Sequence, residues 1–196
     1  MKKLFLIAAC LCLAAPAMAT VVNYGWEDGG TDLGQYGTGT PPIVATNVAA
    51  WEAGEMVHSG NFALKLMDNS PSGTPQSFLV FLWNLADGDM INVGFWRYDD
   101  TPGASPSVRI WGHWNDELPG NPDGYNGSAS GNDDYGEGLG WDYHDWTYTV
   151  VDGHTGLIIE ARTYSNEGDT VWVDDLYVEA PDHVYIQIPG CSPVAN

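Results

Sequence analysis

Two short segments near opposite ends of the chain carry the residues best suited to chemistry. They are Gly25-Trp26-Glu27-Asp28-Gly29 and Val171-Trp172-Val173-Asp174-Asp175-Leu176. Each sets a carboxylate on or beside an apolar, strand-like run, where an unpaired charge is costly. Acids so far apart in sequence are explained if the first and last strands meet around a hard cation. Calcium takes six to eight oxygens from carboxylates, carbonyls and water. Glu27 and Asp174 would supply side-chain oxygens, and the turn at His58-Ser59-Gly60 could add carbonyls. The plainer alternative is that Asp174 and Asp175 cap a solvent-facing edge of the last strand.

A second group is set by strand alternation, since successive side chains point to opposite faces. If Ile91, Val93 and Phe95 face the core, Trp96 and Tyr98 share the other face; if Val108 and Ile110 face it, Arg109, Trp111 and His113 point outward. Should the two strands be neighbours, Trp96, Tyr98, Arg109, Trp111 and His113 form one surface. Sugar rings stack their C–H faces on aromatic rings while Arg and His bond the hydroxyls, so such a surface suits a glycan. Simple packing of the aromatics is the competing account.

Catalytic patterns are weaker. A glycosidase sets two carboxylates across a cleft, and the best lone acid is Glu160, which has Arg162 two residues on as an ion-pair partner. Asp142-Tyr143-His144-Asp145 has metal-ligating residue types but only adjacent loop positions. No Gly-x-Ser-x-Gly elbow, His-Glu-x-x-His helix or phosphate loop is present. A non-enzyme is expected.

The elements that must position these residues are strands. Strand-like runs cover Val21 to Trp26, Phe62 to Met67, Ser77 to Trp83, Met90 to Tyr98, Ser107 to Trp114, Trp146 to Val151, Leu157 to Tyr164 and Thr170 to Val178. Turn chemistry separates them, as at Asp87-Gly88-Asp89 and Asp152-Gly153. About eight strands suit an all-β, antiparallel sandwich of jelly-roll topology in a single domain. Ser77 to Trp83 is apolar on both faces and is expected to be central. Residues 31–50 and 115–143 are expected to be long connections, the second crowded with Gly, Asn and Asp.

Residues 1–19 have the form of a signal peptide: Lys2-Lys3, an apolar run from Leu4 to Ala15, then Ala17-Met18-Ala19. A lipobox at Ile7-Ala8-Ala9-Cys10 would truncate that apolar run, so ordinary export to a secreted or cell-surface location is expected. The domain is expected over residues 20–180, with a C-terminal strand or tail over 181–196. Cleavage removes Cys10 and Cys12 and leaves Cys191 alone, so no intrachain disulfide can form. It also leaves four basic residues against twenty-six acidic ones. Such a field repels nucleic acid and anionic lipid, and no run is long enough to insert in a membrane.

The order of motifs resembles that of galactose-binding-like jelly-roll modules, a group that includes many calcium-containing carbohydrate-binding modules. Gly25-Trp26-Glu27-Asp28-Gly29 is similar to their opening strand, and His58-Ser59-Gly60-Asn61-Phe62-Ala63-Leu64 to their His-Ser-Gly-x-x-Ala-Leu strand. Ile91 to Trp96, Trp146-Thr147-Tyr148 and Val171 to Leu176 follow in the same order. The resemblance implies a structural calcium on Glu27 and Asp174 and a non-catalytic protein whose partner is a polysaccharide or other glycan. A structural or adhesive surface protein on the same fold is the alternative.

Overall fold

The computed structural model describes residues 19–101, 107–163 and 166–192. The expected leader, apart from Ala19, and the last four residues of the tail lie outside the described residues. Among the described residues there are twelve strands: β1 (Ala19–Tyr24), β2 (Gly34–Tyr36), β3 (Ile43–Ala49), β4 (Phe62–Asp68), β5 (Gln76–Trp83), β6 (Met90–Asp99), β7 (Val108–Trp114), β8 (Gly127–Gly131), β9 (Gly140–Thr149), β10 (Gly156–Thr163), β11 (Thr170–Pro181) and β12 (Tyr185–Gln187). They form two antiparallel sheets, a jelly-roll sandwich as expected. Sheet A runs β3-β4-β11-β6-β9, with β1 also on β11; sheet B runs β12-β5-β10-β7-β8, with β2 also on β5.

The core lies between the sheets and follows from the period-2 pattern. Ile91, Val93 and Phe95 of β6 meet Leu157, Ile159 and Ala161 of β10 in one continuous apolar cluster. Two irregularities reset that pattern where it matters. In β11 the register with β6 shifts between Asp174 and Tyr177, and Asp175 takes a left-handed φ of 48°. Val171 and Val173 face the core before this bulge; Leu176, Val178 and Ala180 face it afterwards. The extra residue thus accommodates the paired acids. In β5 the register with β10 shifts opposite Ile159 and Glu160. Leu79 and Val80 both enter the main core, while Phe78 and Phe81 belong to a second apolar cluster with Ile158. β5 is apolar on both faces because its outer residues are covered by that second cluster, and it lies inside sheet B between β10 and the short strands β2 and β12.

The connections expected over 31–50 and 115–143 hold more order than their composition suggests. The first contains β2 and β3, and the second contains β8 and the start of β9. The C-terminal segment also joins the fold, because β12 pairs with β5.

One expectation is overturned. β6 and β7 are not neighbours: β6 lies between β11 and β9 in sheet A, and β7 between β10 and β8 in sheet B. The chain changes sheets between Asp99 and Val108 instead of folding back as a hairpin. Trp96 and Tyr98 therefore sit on one outer face of the sandwich, and Arg109, Trp111 and His113 on the other.

Candidate functional site

The outer face of sheet B carries a groove of about 380 Å³. Its floor comes from adjacent strands: Gln76 and Phe78 of β5, Glu160 and Arg162 of β10, and Trp111 and His113 of β7. Tyr36 of β2 stands at one side; Tyr125 of the 115–126 loop and Ser128 of β8 stand at the other. Both tyrosines are 67% exposed.

Polar groups on the floor hold one another. Glu160 is fully buried, and its carboxylate pairs with His113 Nδ1. With its amide oxygen turned to Arg162, Gln76 donates to both Glu160 oxygens at 3.1 and 3.0 Å and accepts from Arg162 at 2.6 and 3.2 Å. Arg162 Nη2 lies 3.7 Å from Glu160 Oε2. Burial lowers the Arg162 pKa, and the neighbouring Glu160 carboxylate opposes that shift. The buried charge is therefore shared among three side chains, which fixes their directions.

Trp111 is clasped by cations. The guanidinium carbons of Arg109 and Arg162 lie 4.7 and 4.6 Å from its ring centre, and its Nε1 donates to Ser128 Oγ at 3.2 Å. Arg109 also bonds Asp133 at 2.5 Å and the Tyr135 hydroxyl at 2.6 Å. His113 packs between Phe78 and Tyr125, with ring centres 5.5 Å away in each case. The loop carrying Tyr125 is pinned from below. Buried Asn115 donates to Asn121 O at 2.9 Å and accepts from Glu117 N at 3.1 Å, while Leu118 packs on Phe78, Phe81 and Ile158.

Of the five residues expected to form one platform, Trp111 and His113 line the groove and Arg109 flanks it. Trp96 and Tyr98 contribute instead to an aromatic layer over sheet A. His58 stacks on Trp96 at 4.0 Å, and Tyr98 meets Trp141 and Trp172 edge to face. Tyr36, Gln76, Tyr125 and Arg162 were not among the expected site residues. Glu160 and Arg162 do carry a signal, the i, i+2 spacing that sets both on one face; Tyr36 and Tyr125 sit in segments that read as connections.

The two acids expected to hold a cation do converge on one corner, because β1 pairs with β11. Glu27 Oε1 accepts from Asn61 N at 2.7 Å and Phe62 N at 3.1 Å. Asp174 Oδ2 accepts from His58 N at 2.9 Å and Ser59 N at 3.0 Å, and its Oδ1 from Asp175 N at 2.7 Å. The turn thus faces these acids with N–H groups and not with the expected carbonyls. Gly60, at φ 65°, is required here, since a Cβ would lie 2.2 Å from Glu27 Oε1. Asp174 is fully buried, and burial raises its carboxyl to about 6. Asp175 brings a third carboxylate to the corner and pairs with His58 at 2.7 Å. Among the described residues no three His, Cys, Asp or Glu side chains are grouped closely enough to hold a metal by themselves. The donors are nonetheless all oxygens, the chemistry a hard cation takes. The residues fit calcium if main-chain or water oxygens complete the set.

No protein-family model matches the chain, and no curated protein does. Among solved structures, the CBM22-1 xylan-binding domain of Paenibacillus barcinonensis Xyn10C aligns with a TM-score of 0.51 at 12% identity, over 85% of this chain and 98% of its own. What the two share is the β-sandwich fold. The tandem CBM22-1–CBM22-2 structure from the same Xyn10C gives a TM-score of 0.54 at 12% identity, over 86% of this chain and 47% of that tandem. The K1 cleaved adhesin domain of Lys-gingipain from Porphyromonas gingivalis W83 gives 0.50 at 11% identity, covering 81% of this chain and 97% of that domain. At these identities the likeness is one of fold.

Proposed function

We propose that the protein is an exported, non-catalytic binder of a polysaccharide, which lies in the groove on sheet B. The groove's layout carries this reading. Two exposed tyrosines flank a rigid floor on which a buried carboxylate, a guanidinium, an amide and an imidazole are directed by one another. Rings that stack on sugar C–H faces beside oriented donors and acceptors suit a pyranose chain. Glu160 is tied to three side chains, which favours a hydrogen-bond acceptor over a proton donor in hydrolysis.

The test is retention of the protein in gels containing neutral and acidic polysaccharides. Tyr125→Ala is expected to weaken binding roughly tenfold, the loss of one ring contact worth about 1.4 kcal/mol, with thermal stability nearly unchanged because the ring is exposed. Trp111→Ala is expected to release Arg109 and Arg162 and to abolish retention. A folded protein that no polysaccharide in the panel retains would overturn the proposal.

We further propose that calcium joins Glu27 and Asp174 as a structural ion. It would stabilise the folded chain by mass action. Adding 1,000 times the Kd of calcium is expected to raise stability by about 4 kcal/mol relative to excess chelator, and Asp174→Asn to remove that increment. A melting temperature indifferent to calcium in the wild-type protein would refute this assignment.

A further inference from the structure

The outer face of sheet A, opposite the groove, carries one open ring. Asn92, Gly94 and Trp96 of β6 alternate outward and stand beside Thr147, Asp145 and Tyr143 of β9. On their other side, Glu179 and Tyr177 of β11 pair with Asn92 and Gly94. All of these residues therefore share one face. Trp96 and Trp141 are taken up by packing on His58. Tyr143 is not: its ring meets Trp96 on one side, with centres 5.5 Å apart, and stays 43% exposed. Its phenol lies across Gly94, where a Cβ would stand 2.6 Å from Cζ. The backbone at Gly94 has no positive φ, so its glycine, which weakens a strand interior, is needed for the ring's seat alone.

Beside this shelf, polar groups hold one another in a row. Thr147 Oγ1 donates to Asn92 Oδ1 at 2.8 Å, and Asn92 Nδ2 to Glu179 Oε2 at 2.9 Å. The Tyr177 hydroxyl donates to the same Glu179 oxygen at 3.0 Å. The Asn92 and Tyr177 bonds lower the Glu179 pKa, so it stays an acceptor. Burial, helped by the Asp145 charge, raises the Tyr143 pKa, so its phenol keeps the proton. Among the described residues, nothing bonds Glu179 Oε1, the second Asn92 amide hydrogen or the Tyr143 hydroxyl. Asn92 and Glu179 also line a hollow of about 580 Å³ between the end of β11 and the turn before β6. It shares no lining residue with the groove.

An acceptor, a donor and a hydroxyl that is both thus border an open ring. A protonated amine only donates and a carboxylate only accepts, whereas sugar hydroxyls do both. Asp145 and Glu179 also repel an anion, and no Lys or Arg lines the hollow. The patch is one ring wide, far smaller than a protein partner covers. We propose that the Tyr143 shelf is a second site, for a neutral pyranose stacked on the ring and bonded to Asn92 and Glu179. A single ring gives it weak affinity, so retention of the protein in a polysaccharide gel still depends on the groove. The site stands independently of the groove and would persist were the groove's assignment to fail.

The experiment is an NMR titration that follows tyrosine ring and side-chain amide signals. The probes are methyl β-D-glucopyranoside, whose C–H faces carry no axial hydroxyl, and the corresponding glucuronide. Expected are saturable shifts of the Tyr143 ring and the Asn92 amide, with a Kd of about 1–10 mM for the glucoside. The glucuronide should bind about fivefold more weakly. Tyr143→Ala should weaken the titration seen at Asn92 about tenfold, while Tyr125→Ala, on the other face, should leave it as in the wild-type protein. A thermal melt checks that Tyr143→Ala folds. Should it not fold, Glu179→Gln carries the test, with a loss of about threefold expected. Shifts confined to Tyr36 and Tyr125, no shifts at all, equal binding of the two glycosides, or undiminished binding by the shelf variants would overturn the proposal.

Discussion

Glu160→Ala is expected to destabilise the protein by about 3–5 kcal/mol, the cost of breaking a buried ion network by removing one partner. In a domain of this size that corresponds to a fall in melting temperature of roughly 10 °C. The substitution leaves His113, Gln76 and Arg162 without their common acceptor beneath the groove. Polysaccharide retention should disappear with it, even at temperatures where the variant remains folded. Urea unfolding and affinity gels separate the two effects. If Glu160→Ala melts within 1 kcal/mol of wild type, the network is not what holds the floor.

The second large effect is a response to acid at His144. This side chain is 2% exposed in β9, its Nε2 has no hydrogen-bond partner, and its ring lies beside Phe95. Burial holds its pKa down to about 4, and the Arg97 guanidinium adds to the effect. The unfolded chain takes up this proton near pH 6.5, whereas the folded chain resists it until about 4. Stability is thus fully present above 6.5 and is lost as the pH falls through that window. Two and a half pH units set a ceiling of about 3 kcal/mol. Asp174, raised to about 6 by burial, acts in the opposite sense as the pH falls, so the wild-type profile alone mixes the two. Comparison with His144→Leu isolates the histidine. Between pH 7 and pH 4.5 the variant should gain roughly 2–3 kcal/mol on the wild type, measured by urea unfolding under constant calcium. Parallel profiles would show that the imidazole titrates normally.

Much of the sandwich is legible in the sequence because its long strands alternate cleanly. Ile91, Val93 and Phe95 point inward as their spacing demands, and the glycine-punctuated turns fall between strands. That Glu27 and Asp174 approach one another is legible in the sequence, since an acid such as Asp174 within an apolar strand needs a partner, and β1 does pair with β11. What spacing cannot give is which sheet a strand joins. Trp96 and Trp111 both face outward, as alternation requires, but β6 and β7 belong to different sheets. Short edge strands are likewise obscure. β2 and β8 have three and five residues, are rich in glycine, and show no apolar period. Tyr36 and Tyr125 lie in or beside such segments, so spacing alone does not bring the groove's exposed rings together.

The small apolar cluster on the outside of sheet B has a practical meaning for anyone wishing to retarget this scaffold. Leu118 clips the 115–126 loop onto Phe78, Phe81 and Ile158, and Asn115 closes the loop's base. Residues 119–125 hang between these two anchors and the start of β8. They form an interchangeable cassette: its length and its aromatic tip can be varied in a library while the clip keeps its entry angle. Removing the clip along with the cassette would bare three large hydrophobes beside the groove, an exposed apolar patch of the kind that draws proteins together.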